Sequence, residues 1–303
     1  MIAMEPVFGT QKRDLALWDP IIVIRHGFNS SESTFSGLQG YLQGQIPNAT
    51  IDNRTYRWKE SVLVNGARLA NEILSNYSAD RPLVLIGHSM GGLVCRVANV
   101  ILRDSSTFAS VVTSLGFTLG YAPGEILEIK NFGFSAVSSR RVDRLITLAT
   151  PNSGALLQGQ VSGIAALVQT ALNAFPPTRT SSVADLTSDR LFRMLQHFAT
   201  DSPTLSISGS RWNRFALAAG QLTSLTRRGG IQLDLPHDSI VEDRSVDLRA
   251  SVLPNEVVHN GTAPYMHLRA YTECTDITHT NIYDDYNVRQ YLVRCLELTP
   301  ISS

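Results

Sequence analysis

The stretch Pro82-Leu83-Val84-Leu85-Ile86-Gly87-His88-Ser89-Met90-Gly91-Gly92 decides how the rest of the chain is read. Five apolar or helix-breaking residues lead into a serine that has glycine two places away on each side, and an apolar helical run, Gly92 to Leu102, follows at once. A serine so placed between a strand and a helix has the pattern of a nucleophile elbow. The reason is steric. The serine must sit on a very tight turn in a strained backbone conformation, and side chains at Gly87 and Gly91 would collide with the neighbouring strand and helix. The turn lifts the hydroxyl to the carboxyl edge of a sheet and leaves the first amides of the helix free to face an anion.

Strand and helix patterns alternate on either side of this motif. Ile21 to Ile24 is a short continuous apolar run, as a parallel strand buried on both faces requires. Thr34–Leu42 reads as a short helix, Thr50–Trp58 as a strand, and Val62–Tyr77 as an amphipathic helix. Further strands are expected over Leu83–Ile86, Val142–Leu148, Thr204–Gly209 and Met266–Tyr271, and helices over Leu191–Phe198 and Asp284–Leu296. This alternation predicts an α/β fold, a mostly parallel central sheet with helices on both faces. One domain spanning 1–303 is expected, with two irregular segments inside it. The 105–141 insertion is far longer than a usual helix-to-strand connection, and 154–202 carries Ile164, Leu167, Val168, Ala171 and Leu172 at helical spacing. Both are expected to leave the sheet at its catalytic edge and cover the site, against the plainer reading of a helical layer that completes the core. The 154–202 segment is assigned as an inserted helical cap or lid, with Leu157, Ile164 and Val168 as candidate substrate contacts.

Composition narrows the function classes. The 303 residues are 43% hydrophobic, and 26 Lys and Arg balance 26 Asp and Glu. The lack of a basic excess argues against a nucleic-acid partner. Met1 to Asp19 has no apolar core of the kind a secretory signal needs, and no stretch reaches the length of a membrane span. A cytoplasmic location is the default expectation, with export by a signal-independent route left open. Cys95, Cys274 and Cys295 are too few for a disulfide framework or a zinc site, and a Cys274–Cys295 bridge is left open. No metal and no cofactor are expected.

A serine hydroxyl needs a base to take its proton and a carboxylate to orient that base. Of the histidines beyond Ser89, His279 follows the last expected strand in a polar loop, which places it at the same sheet edge as the serine. His267 falls within that strand, His259 before it, and His197 on the inserted segment. Asp238, in Leu235-Pro236-His237-Asp238-Ser239-Ile240-Val241, is the chosen acid, with Asp234, Asp243 and Asp247 as competitors. The oxyanion that develops needs two donors. One is the amide of Met90, directly after the serine. The other is the amide of Phe28 in Arg25-His26-Gly27-Phe28-Asn29, where Gly27 lets the loop approach. The Phe28 side chain either lines an acyl pocket or simply packs.

These residues resemble the α/β-hydrolase superfamily, in its lipase-like serine-esterase branch. The resemblance rests on His26-Gly27-Phe28, the elbow through Gly92, Leu148-Ala149-Thr150-Pro151-Asn152-Ser153-Gly154, Asp238-Ser239-Ile240-Val241 and His279. It implies hydrolysis of carboxylic esters through an acyl-serine intermediate, without a cofactor, by a triad of Ser89, Asp238 and His279. The apolar segments point to lipid or other hydrophobic acyl esters, with transient contact with a lipid surface as a further option. An acyl-thioesterase or acyltransferase on the same residues is the nearest alternative, and a binding protein without catalysis the remote one.

Overall fold

The computed structural model describes residues 11–28, 30–132, 140–152, 181–187, 190–195, 197–198, 202–209, 269–274 and 277–299. Six strands in these residues pair into one sheet: β1 (Ile21–Arg25), β2 (Thr50–Asp52), β3 (Leu83–His88), β4 (Arg144–Leu148), β5 (Thr204–Gly209) and β6 (Arg269–Cys274). The order is β2-β1-β3-β4-β5-β6, and every pair is parallel. The helices are α1 (Ser36–Gln45), α2 (Val62–Asn76), α3 (Met90–Arg103), α4 (Ser105–Leu115), α5 (Pro123–Asn131), α6 (Ser181–Thr187), α7 (Arg190–Leu195) and α8 (Tyr286–Glu297).

The continuous apolar runs have a physical explanation in two cores. Successive strand residues point to opposite faces. Ile21, Val23, Leu83, Leu85 and Leu145 enter one core with α2 to α5. Ile22, Ile24, Val84, Ile86, Ile146, Leu205 and Ile207 enter the other with α1 and α8. Both faces are thus covered, as a parallel sheet demands. No helix among the described residues is long and apolar enough to cross a membrane. Cys95, Cys274 and Cys295 are all buried free thiols, so the bridge left open by the sequence is not formed.

The strand order reverses at β1. The chain goes from β1 outward to β2, then crosses to β3 on the other side. In open parallel sheets ligands bind in the crevice outside the carboxyl ends of the two strands at such a reversal. Here those ends carry His26-Gly27-Phe28 and Ser89.

Three expectations are corrected. The second strand stops at Asp52 instead of reaching Trp58. It is an edge strand, and beyond its third residue the chain is drawn away by a buried ion cluster. Arg25 donates through Nη1 and Nη2 to both carboxylate oxygens of Asp52, each at 3.3 Å, and Arg54 and Tyr77 donate to the same carboxylate. The last strand runs three residues past the expected Tyr271, to Cys274, because its register follows β5 to Gly209. The described residues of the 105–141 segment, 105–132 and 140–141, do not stand over the catalytic edge. The segment leaves α3 and rejoins the sheet at the edge opposite Ser89, where Arg140 N–H bonds Leu102 O and Asp143 N–H bonds Leu83 O. Between these points α4 and α5 bury Phe108, Val112, Ile126 and Ile129 in the core under α2 and α3. The described part of 154–202 does likewise: Leu186, Leu191 and Met194 join that core, and Asp185 accepts the Val62 amide at 2.6 Å.

The Asp52 cluster makes a measurable prediction. Burial alone would raise the Asp52 carboxyl, but hydrogen bonds from Arg54 and Arg25, with the Arg25 charge, carry it far below the usual carboxylate range. A depressed acid stabilises the fold above its unfolded value, about pH 4, and that contribution disappears as the pH falls through the folded value. Asp52→Ala leaves the Arg25 guanidinium, 2% exposed, without its main partner. The expected cost is about 3 kcal/mol at neutral pH, together with a shallower loss of stability below about pH 4, read by urea unfolding across pH.

Candidate active site

The elbow forms where the sequence places it. Ser89 has φ 52° and ψ −126°, one of two positive-φ residues other than glycine among the described residues. Such a conformation costs about 1–3 kcal/mol and persists only where the surroundings enforce it. They do so here: the Ser89 amide bonds Leu148 O at 2.9 Å, and the Gly92 amide bonds Ser89 O at 3.1 Å. Although Ser89 stands at the N-cap of α3, its side chain makes no cap hydrogen bond. Its oxygen is therefore not committed to the helix, and the residue is 8% exposed.

The glycines do what the pattern requires. A Cβ at Gly87 would meet Gly91 O at 2.5 Å, and one at Gly91 would strike the carbonyl oxygens of Arg25 and His26. A Cβ at Gly92 would strike Thr150, which is how the Ala149-Thr150 turn comes to lie beside the elbow. Gly27 faces Ser89 itself. A Cβ there would stand 3.0 Å from Ser89 Cβ and 3.5 Å from Ser89 Oγ.

The loop after β1 is held by groups that the sequence reading did not use. His26 is fully buried. Its Nδ1 lies 2.8 Å from Gly27 O and its Nε2 2.8 Å from Thr55 Oγ1, so Nδ1 carries the proton that the carbonyl accepts. Burial, with a smaller push from the neighbouring Arg25 charge, holds this imidazole below its ordinary value. Tyr56 stacks on the ring at 4.5 Å and donates its hydroxyl to His26 O at 2.8 Å. Phe28 is half-buried with its ring edge-on to Trp58 at 4.8 Å.

His279 comes from the turn between β6 and α8. Ile277 and Ile282 anchor that turn in the core, and Thr278 caps it by bonding Asn281 Oδ1 through both amide and hydroxyl at 2.7 Å. His279 is 5% exposed. Its ring lies 4.7 Å from the ring of His88, and its backbone oxygen lies 2.8 Å from His88 Nε2. Ser89 and His279 thus flank the same residue, one through the chain and the other through space. Ser89, Met90, Gly27, Phe28 and His279 all belong to the carboxyl edge of the sheet at the β1–β3 reversal. Asp238 and its competitors Asp234, Asp243 and Asp247 lie outside the described residues, as do His237, His259 and His267. So do the candidate substrate contacts Leu157, Ile164 and Val168. His197 is exposed at the end of α7. Among the described residues no group of three or more His, Cys, Asp or Glu side chains is placed to hold a metal ion.

A parallel sheet whose order reverses between β1 and the strand that leads into Ser89, with that serine strained into a left-handed turn ahead of a buried helix, defines a serine hydrolase of the α/β-hydrolase fold. The chain belongs to a family described as Putative serine esterase (DUF676), whose model matches residues 19–175. Solved structures agree on the fold. The mature form of the Bacillus licheniformis lipase BlEst2 superposes with a TM-score of 0.55 at 18% identity, over 93% of each chain. The phospholipase PlaB from Legionella pneumophila, in complex with thio-NAD, superposes with a TM-score of 0.52 at 14% identity, over 92% of this chain and 59% of that one. No curated protein matches the sequence.

Proposed function

We propose that this serine hydrolase cleaves carboxylic esters of lipids or other hydrophobic acyl groups through an acyl-serine intermediate. The observation that carries the proposal is the Ser89 turn: a strained serine, its hydroxyl outside the helix cap, at the amino end of α3 and against the bare backbone of Gly27. Ser89 Oγ attacks the ester carbonyl carbon while His279 takes the hydroxyl proton. The amides of Met90 and Phe28 hold the oxyanion of the tetrahedral intermediate, each contributing about 3 kcal/mol. Collapse breaks the bond to the alcohol, which leaves with the proton from His279. Water then attacks the acyl-serine by the same route and frees the acid. Asp238 is the carboxylate that orients His279, in the order serine, acid, histidine.

The part of the 154–202 segment ahead of α6 is the proposed cap, with Leu157, Ile164 and Val168 as the residues that take the acyl chain. The lipase and phospholipase named above, which share the fold, support a hydrophobic substrate. The test is a series of p-nitrophenyl esters from acetyl to palmitoyl, with the matching acyl-CoA thioesters. Each buried methylene is worth about 0.8 kcal/mol, so kcat/KM for octanoyl should exceed that for acetyl by about tenfold or more. A strict acetyl preference overturns the hydrophobic substrate, and faster turnover of the thioesters overturns the ester assignment.

A further inference from the structure

The residue between Gly87 and Ser89 has no part in the proposed chemistry, yet its environment is specific. His88 is 6% exposed at the carboxyl end of β3. Its ring sits among Tyr283 at 5.1 Å, Phe35 at 6.1 Å and His279 at 4.7 Å. Its Nδ1 faces the loop after β1, where a Cβ on Gly27 would stand 3.2 Å away. Its Nε2 lies 2.8 Å from the backbone oxygen of His279.

The chemistry of that last contact is asymmetric. A backbone carbonyl can only accept, so Nε2 must carry the proton and donate. Burial, with the neighbouring His279 as the second cause, keeps His88 well below the ordinary imidazole value. His88 is therefore a neutral Nε2–H tautomer at working pH. It is rigidly attached to the nucleophile through one peptide bond, and it holds the backbone of a histidine 191 positions further along the chain. A displacement of about 1 Å between nucleophile and base can cost about 100-fold in rate.

We propose that His88 is a positioning residue, whose Nε2–H to His279 carbonyl hydrogen bond sets the distance between the Ser89 turn and the His279 loop. This rests on the reading of His279 as the base. The ring does not touch substrate or move a proton in the reaction. Its task is to fix the base-bearing turn to the nucleophile-bearing strand before substrate arrives.

Two nearly isosteric replacements isolate the donor. Gln at this position has the reach and an N–H at its end, whereas Met has the same length and shape without a donor. His88→Met should lower kcat for p-nitrophenyl octanoate at least tenfold, with KM within twofold, and slow fluorophosphonate labelling of Ser89 by the same factor. His88→Gln should restore kcat to within about threefold of the parent. Equal kcat in the Met variant and the parent overturns the proposal, as does a Gln variant that is folded and no better than Met. A readout free of any variant's folding is the imidazole ¹⁵N spectrum of the unsubstituted protein: a slowly exchanging Nε2–H on His88 is expected, and an Nδ1–H tautomer overturns it. His279→Ala separates the two levels. If it keeps normal labelling, the base assignment fails whatever His88 does; if it is inert while His88→Met is fully active, only the positioning role fails.

Discussion

Ser89→Ala is expected to reduce ester hydrolysis by about 10⁴-fold or more and to abolish labelling by fluorophosphonates, while leaving the fold in place. The first half follows from the proposed mechanism: without Oγ no acyl-enzyme can form, and only the proposed oxyanion donors and substrate binding remain. The second half follows from the geometry. The hydroxyl makes no helix-cap bond, so its removal orphans no amide of α3. Alanine is also no easier to place at φ 52° than serine, so the strain stays as it was. Thermal unfolding of the Ala variant should therefore match the parent within about 1 kcal/mol. Ser89→Gly, equally inactive, should be more stable than the Ala variant, because glycine adopts this turn without the steric penalty. That ordering tests whether the strain is real independently of catalysis. Labelling retained at another serine in the Ala variant would remove Ser89 from the centre of the reading.

Much of this site was legible because its constraints are local. Glycines at 87, 91 and 92 are needed within one turn of Ser89, and each meets backbone or a neighbouring turn where a Cβ would go. The apolar runs gave the strands, since residues buried on both faces leave no polar alternation to confuse the pattern. What stayed hidden depends on long-range pairing. Nothing near Asp52 announces that Arg25, 27 positions earlier, will claim its carboxylate and end the strand. The role of His88 is invisible for the same reason, since its partner is a backbone oxygen, which has no side-chain signature. The 105–141 segment is a different case, because its signals were local and went unused. Asp104 caps α4 by accepting the Thr107 amide, Pro123 opens α5, Glu125 reaches back to the Ala122 amide, and Gly120 takes φ 83° in the turn between them. Length suggested a cover for the site, but the caps mark a helical hairpin, and its apolar stripe belongs to the core.

Gly91→Ala should be among the most damaging single methyl additions at the described glycines, destabilising the fold by about 4 kcal/mol or more and removing activity from whatever still folds. The added carbon would overlap the carbonyl oxygens of Arg25 and His26 and lie 2.6 Å from the Arg25 carbonyl carbon. Neither side can give way cheaply. Arg25 is paired with Gly87 in the sheet, its side chain is locked to Asp52, and Tyr56 holds His26 O. On the other side α3 is buried along its length, with Val94, Val97 and Ala98 in the core beneath it. If the helix retreats, the Met90 amide moves with it; if the loop retreats, Phe28 moves instead. Either way the two proposed oxyanion donors lose their common focus, so stability and turnover fall together. The melting temperature should drop by roughly 10 °C. Gly40→Ala is the matched control: it is an exposed helical glycine in α1 with nothing within 4 Å of its new carbon, and should gain up to about 1 kcal/mol. A Gly91 variant that melts with the parent would mean that strand β1 and helix α3 do not approach as closely as the elbow requires, and the oxyanion assignment, which depends on that approach, would fall with it.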